Sequence, residues 1–202
     1  MSTFFHRFTR GELPLTRIEA FSDGVFAVAV TLLVLDLKVP VLNDHADVRE
    51  LAQALTDQLP RFVSWLISFI IVCKFWLNHH HILGLARHAD YGFVWLNSIF
   101  LMGQSFIPFP TAMVGEYPGN ALAVSFFGCV FALNTLLFIA LQAYVVRRLI
   151  KPELAASQAP HALRNAFVGP LSYLLGAVVA WVYTPAAFII YALTPLFYIT
   201  PR

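Results

Sequence analysis

Residues 17–38 read RIEAFSDGVFAVAVTLLVLDLK, and from Ala20 onward the stretch is almost entirely apolar. A helix needs about 20 such residues to cross the hydrocarbon core of a bilayer. Arg17, Glu19 and Asp23 gather at its start, where headgroups and water can reach them. A chain carrying this segment is committed to a membrane, and the backbone there must be helical because lipid offers it no hydrogen bonds. Composition extends the point to the whole chain. Of 202 residues, 59% are hydrophobic and 12% charged, whereas soluble domains run at about 45–50% apolar and about 25% charged. The expected fold is an all-α integral membrane protein with one domain over residues 1–202. A net charge of +2 is too small to suggest a nucleic-acid partner. No cleavable signal peptide or lipid anchor is expected, since the first apolar run is too long for a signal core.

At about 100° per residue, Gly24, Val28, Thr31, Leu32 and Leu35 fall within roughly 60° of one line along the first helix. Ala20, Gly24, Ala27 and Thr31 form a small-residue edge beside it. Small residues let helices approach closely in lipid, where packing rather than hydrophobicity drives association. The pattern predicts a helix that associates with copies of itself. Asp23 lies about 140° from Val28, so it faces the rest of the protein if the Val28 line faces an axis.

Six spans are expected. After the first, which ends near Leu37, Val48, Leu51, Ala52 and Leu55 have helical spacing behind a capping Asp47, predicting a short helix outside the bilayer. Pro60 suits the first turn of a second span, Phe62 to about Asn78, with Lys74 near its end. His79–Asp90 is expected as a loop, Tyr91–Phe109 as the third span, and Pro108–Asn120 as a turn. Ala121–Val146 is the fourth span, Arg147–Arg164 a polar connector, Ala166–Tyr183 the fifth span, Thr184-Pro185 a tight reversal and Ala186–Ile199 the sixth span. Basic residues orient the bundle. With the N-terminus inside, inner segments hold Arg7, Arg10, Arg17, Arg87, Arg147, Arg148, Lys151, Arg164 and Arg202, and outer loops hold Lys38, Arg49 and Arg61. Both termini are therefore expected in the cytoplasm, with the protein multi-pass in the cell inner membrane or plasma membrane.

Several polar groups invite a chemical role. Asp23 has two readings, a structural ion pair that orients the first helix or a carboxylate ring that selects cations; the wheel favours the first. His79, His80 and His81 point in different directions on a helix, so they cannot all hold one metal, and hydrogen bonding is the expected use. Asn97 and Gln104, inside the third span, read as interhelical glue. Cys73 and Cys129 read as small buried hydrophobes. Trp65, Trp76, Trp95, Trp181, Tyr91, Tyr183 and Tyr198 suit an interfacial belt. No nucleophile–base set and no phosphate loop is visible, so neither an enzyme nor a bound cofactor is expected.

The run Arg17-x-x-x-Phe21-Ser22-Asp23, continuing Gly24-Val25-Phe26-Ala27, resembles the signature of the transmembrane protein 175 family of potassium channels, in its short prokaryotic form. Trp76-x-x-His79-His80 and Pro108-Phe109-Pro110-Thr111 are similar to later segments of that family. The resemblance implies a potassium-selective, leak-like channel, assembled as a homotetramer in the lipid bilayer with the first helix of each subunit lining a central pore. It places an apolar constriction on Val28, Leu32 and Leu35, with Thr31 as a hydroxyl ring between them. Val28 is shorter than the Ile or Leu common at that position. It also implies that one of His79 and His80 joins Arg17 and Asp23 in a polar network behind the pore helix. Composition and spacing alone do not say channel. A secondary transporter or proton-coupled permease is the alternative, although its pointers, paired repeats and broken helices with central charges, are not seen. A non-conducting scaffold is the third.

Overall fold

The computed structural model describes residues 14–154 and 166–197. The N-terminal basic lead, most of the polar connector, Arg164, Tyr198 and Arg202 lie outside them. The described residues form helices and turns, with a single isolated β-bridge between Ala86 and Ile150. Helix α1 is Leu15–Leu32 and tightens into a 3-10 turn at Leu33–Asp36. Then come α2 (Val48–Asp57), α3 (Leu59–Leu85), α4 (Tyr91–Phe106), α5 (Pro108–Glu116), α6 (Ala121–Tyr144, extended by a π turn at Val145–Leu149), α7 (Val168–Val179) and α8 (Thr184–Phe197). Four stretches are long and apolar enough to cross a membrane: Leu15–Asp36, Leu59–Leu85, Tyr91–Glu116 and Ala121–Leu149. The shorter apolar α7 and α8 bring the membrane helices to the expected six.

Several boundaries differ from expectation, each for a local reason. The second span does not stop at Asn78. It runs to Leu85, so the three histidines lie on the helix and Lys74 sits near mid-helix rather than at its end. Pro108 does not begin a turn. It occupies the first turn of α5, where a missing N–H breaks no hydrogen bond, and the third span continues with a break to Glu116. Thr184-Pro185 likewise opens α8 rather than making the reversal, which is formed by Ala180–Tyr183 through bonds from Val182 N and Tyr183 N to Val179 O. Cys73 is half-buried and Cys129 exposed, so neither is the fully buried hydrophobe expected. The short helix expected around Val48–Leu55 is present as α2, and the Asp47 carboxylate accepts from Arg49 N and Glu50 N at its start.

Helix α6 is the hub. It packs on α4, α5, α7 and α8, while α1 leans on α3 and α4. Two aromatic files fill the core. Phe75, Phe100 and Phe138 meet edge-on or tilted between α3, α4 and α6 with ring centroids 5.5–6.0 Å apart. Phe127, Phe131, Tyr173 and Tyr191 pack tilted between α6, α7 and α8 with centroids 4.6–6.2 Å apart. The Tyr191 hydroxyl donates to Val124 O at 3.0 Å, and Ser125 donates to Ala177 O at 2.6 Å. Gly128 is the close-approach point: a side chain there would meet Tyr191 and the Tyr173 carbonyl. At one end of the bundle α5 is tied to α3 by the Ser68–Thr111 hydroxyl pair at 2.7 Å and by the Arg61–Glu116 ion pair.

Candidate functional site: the open face of α1 and its polar support

Helix α1 has two unlike faces. Ser22, Phe26, Ala29 and Leu33 form a buried line toward α3 and α4, with Phe26, Ala29 and Leu33 at most 3% exposed. Phe26 rests against His79 and Phe100, with centroids 5.5 and 6.0 Å away. On the other side Ala20, Gly24, Ala27 and Thr31 are exposed, and Val28, Leu32 and Leu35 are 56%, 41% and 70% exposed. Among the described residues, none covers this face. The 3-10 turn changes its last step. Residues three apart eclipse one another in that geometry, so Leu35 comes into line with Leu32.

Thr31 is chemically particular. Its hydroxyl lies 2.9 Å from both Ala27 O and Val28 O. A hydroxyl has one proton and two lone pairs. With the proton turned back to the helix, the oxygen offers only acceptor capacity to the open face. It is the one polar side chain among Val28, Thr31, Leu32 and Leu35.

Behind α1 lies a directional buried chain. Ser22 donates to Ile18 O at 2.8 Å, so its oxygen must accept from Asn97 Nδ2 at 3.0 Å. The Asn97 carbonyl therefore turns to His79 Nε2, 2.7 Å away. His79 must then carry its proton on Nε2, since an amide oxygen can only accept. Ser22, Asn97 and His79 are each at most 1% exposed. One string of side chains thus fixes the mutual rotation of α1, α3 and α4.

A second, more exposed pair of contacts lies alongside. Trp76 Nε1 donates to Asp23 Oδ1 at 2.9 Å. His80 Nδ1 is 3.1 Å from Glu19 Oε1, and its ring stacks on Trp76 with centroids 6.3 Å apart. The two histidines therefore divide: His79 joins Ser22 through Asn97, and His80 joins Glu19 beside the Asp23–Trp76 contact. The expected Arg17–Asp23 pair is not formed; Arg17 is exposed and has no ion pair among the described residues. Phe21 is 60% exposed, while Ser22 beside it is fully buried. Sequence reasoning missed Trp76 and Glu19 as partners of the network. The signal was available in Glu19 and Asp23, spaced one turn apart on α1 and matched by Trp76 and His80, one turn apart on α3.

Gln104 and Asn134 make a further interhelical bond at 3.0 Å, between α4 and α6. This is the glue expected of intramembrane amides, and Asn97 serves in the same way.

A long apolar helix with one face left open among the described residues, held from behind by a polar key, sits in a bundle of membrane-length helices. The sequence profile of the family described as "Endosomal/lysosomal potassium channel TMEM175" matches residues 17–108. A potassium channel of Streptomyces collinus is 34% identical over 188 residues, covering 90% of each chain. A potassium channel of Chamaesiphon minutus is 34% identical over 171 residues, covering 82% of this chain and 84% of its own. The crystal structure of a lysosomal potassium-selective channel TMEM175 homologue from Chamaesiphon minutus superposes with a TM-score of 0.80 at 29% identity, over 91% of this chain and 95% of that one. The chain belongs to the TMEM175 family.

Proposed function

We propose that this chain is one subunit of a potassium-selective, leak-like channel, a single six-helix domain assembled as a homotetramer around the open faces of four α1 helices. The observation that carries the proposal is the uncovered line of Val28, Thr31, Leu32 and Leu35 on a helix otherwise keyed into its own subunit. Four such faces would form an apolar neck from Val28, Leu32 and Leu35. Water leaves an apolar neck readily, and an ion entering it loses hydration. The Thr31 oxygens, their protons committed to the helix backbone, would supply acceptor lone pairs where that hydration is lost. Of the signature residues, Ser22 and Asp23, with His79 and His80, act as support: they set the rotation of α1 and hence which side chains meet at the axis. Both termini lie in the cytoplasm, in the cell inner membrane or plasma membrane.

The test is flux from liposomes loaded with potassium or sodium. Passive, non-saturating potassium flux that exceeds sodium flux is expected. A carrier would saturate and couple, and a scaffold would pass neither ion. Thr31→Val should lower potassium flux, and Val28→Asn or Leu35→Asn should raise conductance by wetting the neck. Phe26, packed behind the helix, is the control. If all three variants conduct like the parent while a change at Phe26 alters selectivity, the axis lies on another face. Only monomers and dimers in native mass spectrometry would refute the tetramer.

A further inference from the structure

The end of the bundle where α3 stops and α4 starts is closed by a clasp. Arg87 N donates to Leu149 O at 3.0 Å, and Lys151 N donates to Leu85 O at 2.9 Å. Lys151 Nζ also reaches Gly84 O at 2.8 Å, placing a cation on the carbonyl end of α3, where the helix dipole favours it. These bonds bring two distant segments together, so that Arg87 and Lys151 share one end of the bundle with Arg148 and Arg147, which lie just before Leu149 in the chain. Arg87, Arg147 and Arg148 are exposed, and none of the four forms an ion pair with a described carboxylate. The acid inside the cluster is already engaged. Asp90 accepts from the Tyr144 hydroxyl at 2.8 and 3.0 Å and from Phe93 N at 2.8 Å. The other carboxylate close by in the chain, Glu153, is exposed and makes no ion pair with a described residue. Beside the clasp, Tyr91 and Trp95 are 61% and 68% exposed, as aromatic side chains are at the depth of lipid headgroups.

We propose that this clasp is a binding site for the headgroup of an anionic phospholipid in the adjoining leaflet. Charge complementarity selects the occupant. Guanidinium groups engage phosphate oxygens through paired N–H donors, and the clasp fixes the backbone that carries three of them, so little ordering remains to be done on binding. The opposite end of the bundle offers no equivalent: there Arg61 is taken by Glu116, and α2 and its approach carry Asp44, Asp47, Glu50 and Asp57. The site does not depend on the channel proposal, because it is read by lipid retention rather than by flux.

The experiment is native mass spectrometry of delipidated full-length protein with added phosphatidylglycerol or phosphatidylcholine, and with inorganic phosphate as competitor. Retention of phosphatidylglycerol over phosphatidylcholine is expected. The triple variant R87Q/R147Q/R148Q should weaken phosphatidylglycerol binding roughly tenfold or more, each basic group at a membrane surface being worth several-fold. The outer-loop variant K38Q/R49Q should leave it unchanged. Single R148Q, which leaves the clasp backbone intact, should show a several-fold loss and serves if the triple variant does not fold. Equal retention of the two lipids, or equal loss in the outer-loop variant, would overturn the proposal. So would unaltered binding in the inner variants. Displacement by inorganic phosphate would assign the site to a soluble anion instead.

Discussion

Helices α1 and α6 are both long and apolar, yet they occupy opposite positions in the subunit. Within their most apolar windows α1 is 22% buried and α6 is 61% buried. Hydropathy does not separate them, because in lipid an exposed apolar helix and a central one look alike. What separates them is where the small and polar side chains fall. On α6, Gly128, Ser125 and Asn134 face other helices of the same chain. On α1, Ser22 does so, but Gly24, Ala27 and Thr31 sit on the side left open by the described residues. Under the proposed assembly, this small-residue edge is where α1 meets its copies.

The largest effect expected from this contrast is at Gly128. A Cβ there would lie 2.8 Å from the Tyr173 carbonyl and closer still to the Tyr191 hydroxyl. Backbone cannot give way as a side-chain tip can, so Gly128→Val should destabilise the subunit by about 3 kcal/mol or more. Loss of monodisperse protein on size exclusion, or a large fall in the melting temperature, would be the sign. A variant that melts with the parent would mean that α6 is not the tight hub of the bundle.

Gly24 is the matching probe on α1. A Cβ there meets nothing within 4 Å in the subunit, and valine is not worse than glycine in a helix. Gly24→Val should therefore leave subunit folding within about 1 kcal/mol of the parent while reducing tetramer content or potassium flux. The decisive comparison is melting of the subunit against assembly by native mass spectrometry. If both are unchanged, the open face is facing lipid and not other subunits.

The support behind α1 can be divided in the same spirit. Asn97→Leu removes the acceptor of the buried His79 Nε2–H and leaves it unpaired, while Ser22 keeps its bond to Ile18 O. A buried donor left unpaired costs about 1–3 kcal/mol. Asp23→Asn should cost much less, under about 1 kcal/mol, because its amide oxygen can still accept from Trp76 and because the contact is exposed. A buried Arg17–Asp23 ion pair, the reading the helical wheel favours, would instead make the loss of Asp23 cost about 3–5 kcal/mol. Chemical denaturation of the two variants would sharpen the point; equal losses would restore Asp23 to the centre of the network.

These residues show what sequence carries and what it does not. The open line of α1 is legible because it obeys a period within one helix: Val28, Leu32 and Leu35 need no knowledge of any neighbour. The Asp47 cap and α2 are legible for the same reason. The pairing of Ser22 with Asn97 and His79 is not, since it depends on the relative rotation of three helices far apart in the chain. The run of α3 past Asn78 was hidden because polar histidines look like a loop when only hydropathy is read. The continuation through Pro108 was hidden because a proline ends one helix and begins another equally well.

The smallest effect lies where α1 passes to α2. The exposed Glu50 carboxylate accepts from Asn43 N at 2.9 Å, Asp44 N at 3.1 Å and Asn43 Nδ2 at 2.8 Å. The two backbone N–H groups hold its pKa below the ordinary 4.5. A carboxyl group depressed in the folded state adds stability that is fully present above its unfolded value, and that stability is lost as pH falls through the folded value. The loop should thus hold unchanged from neutral pH down to about 4.5 and loosen only below it. Amide hydrogen exchange at Asn43 and Asp44 is the measurement, with α6 amides as the internal standard that should not move. Glu50→Gln should loosen the loop already at neutral pH, because a neutral amide is a weaker acceptor, and should flatten the pH dependence. Exchange at Asn43 and Asp44 that follows the same pH course in parent and variant would show that this carboxylate does not hold the loop, and that α2 is kept beside the end of α1 by other contacts.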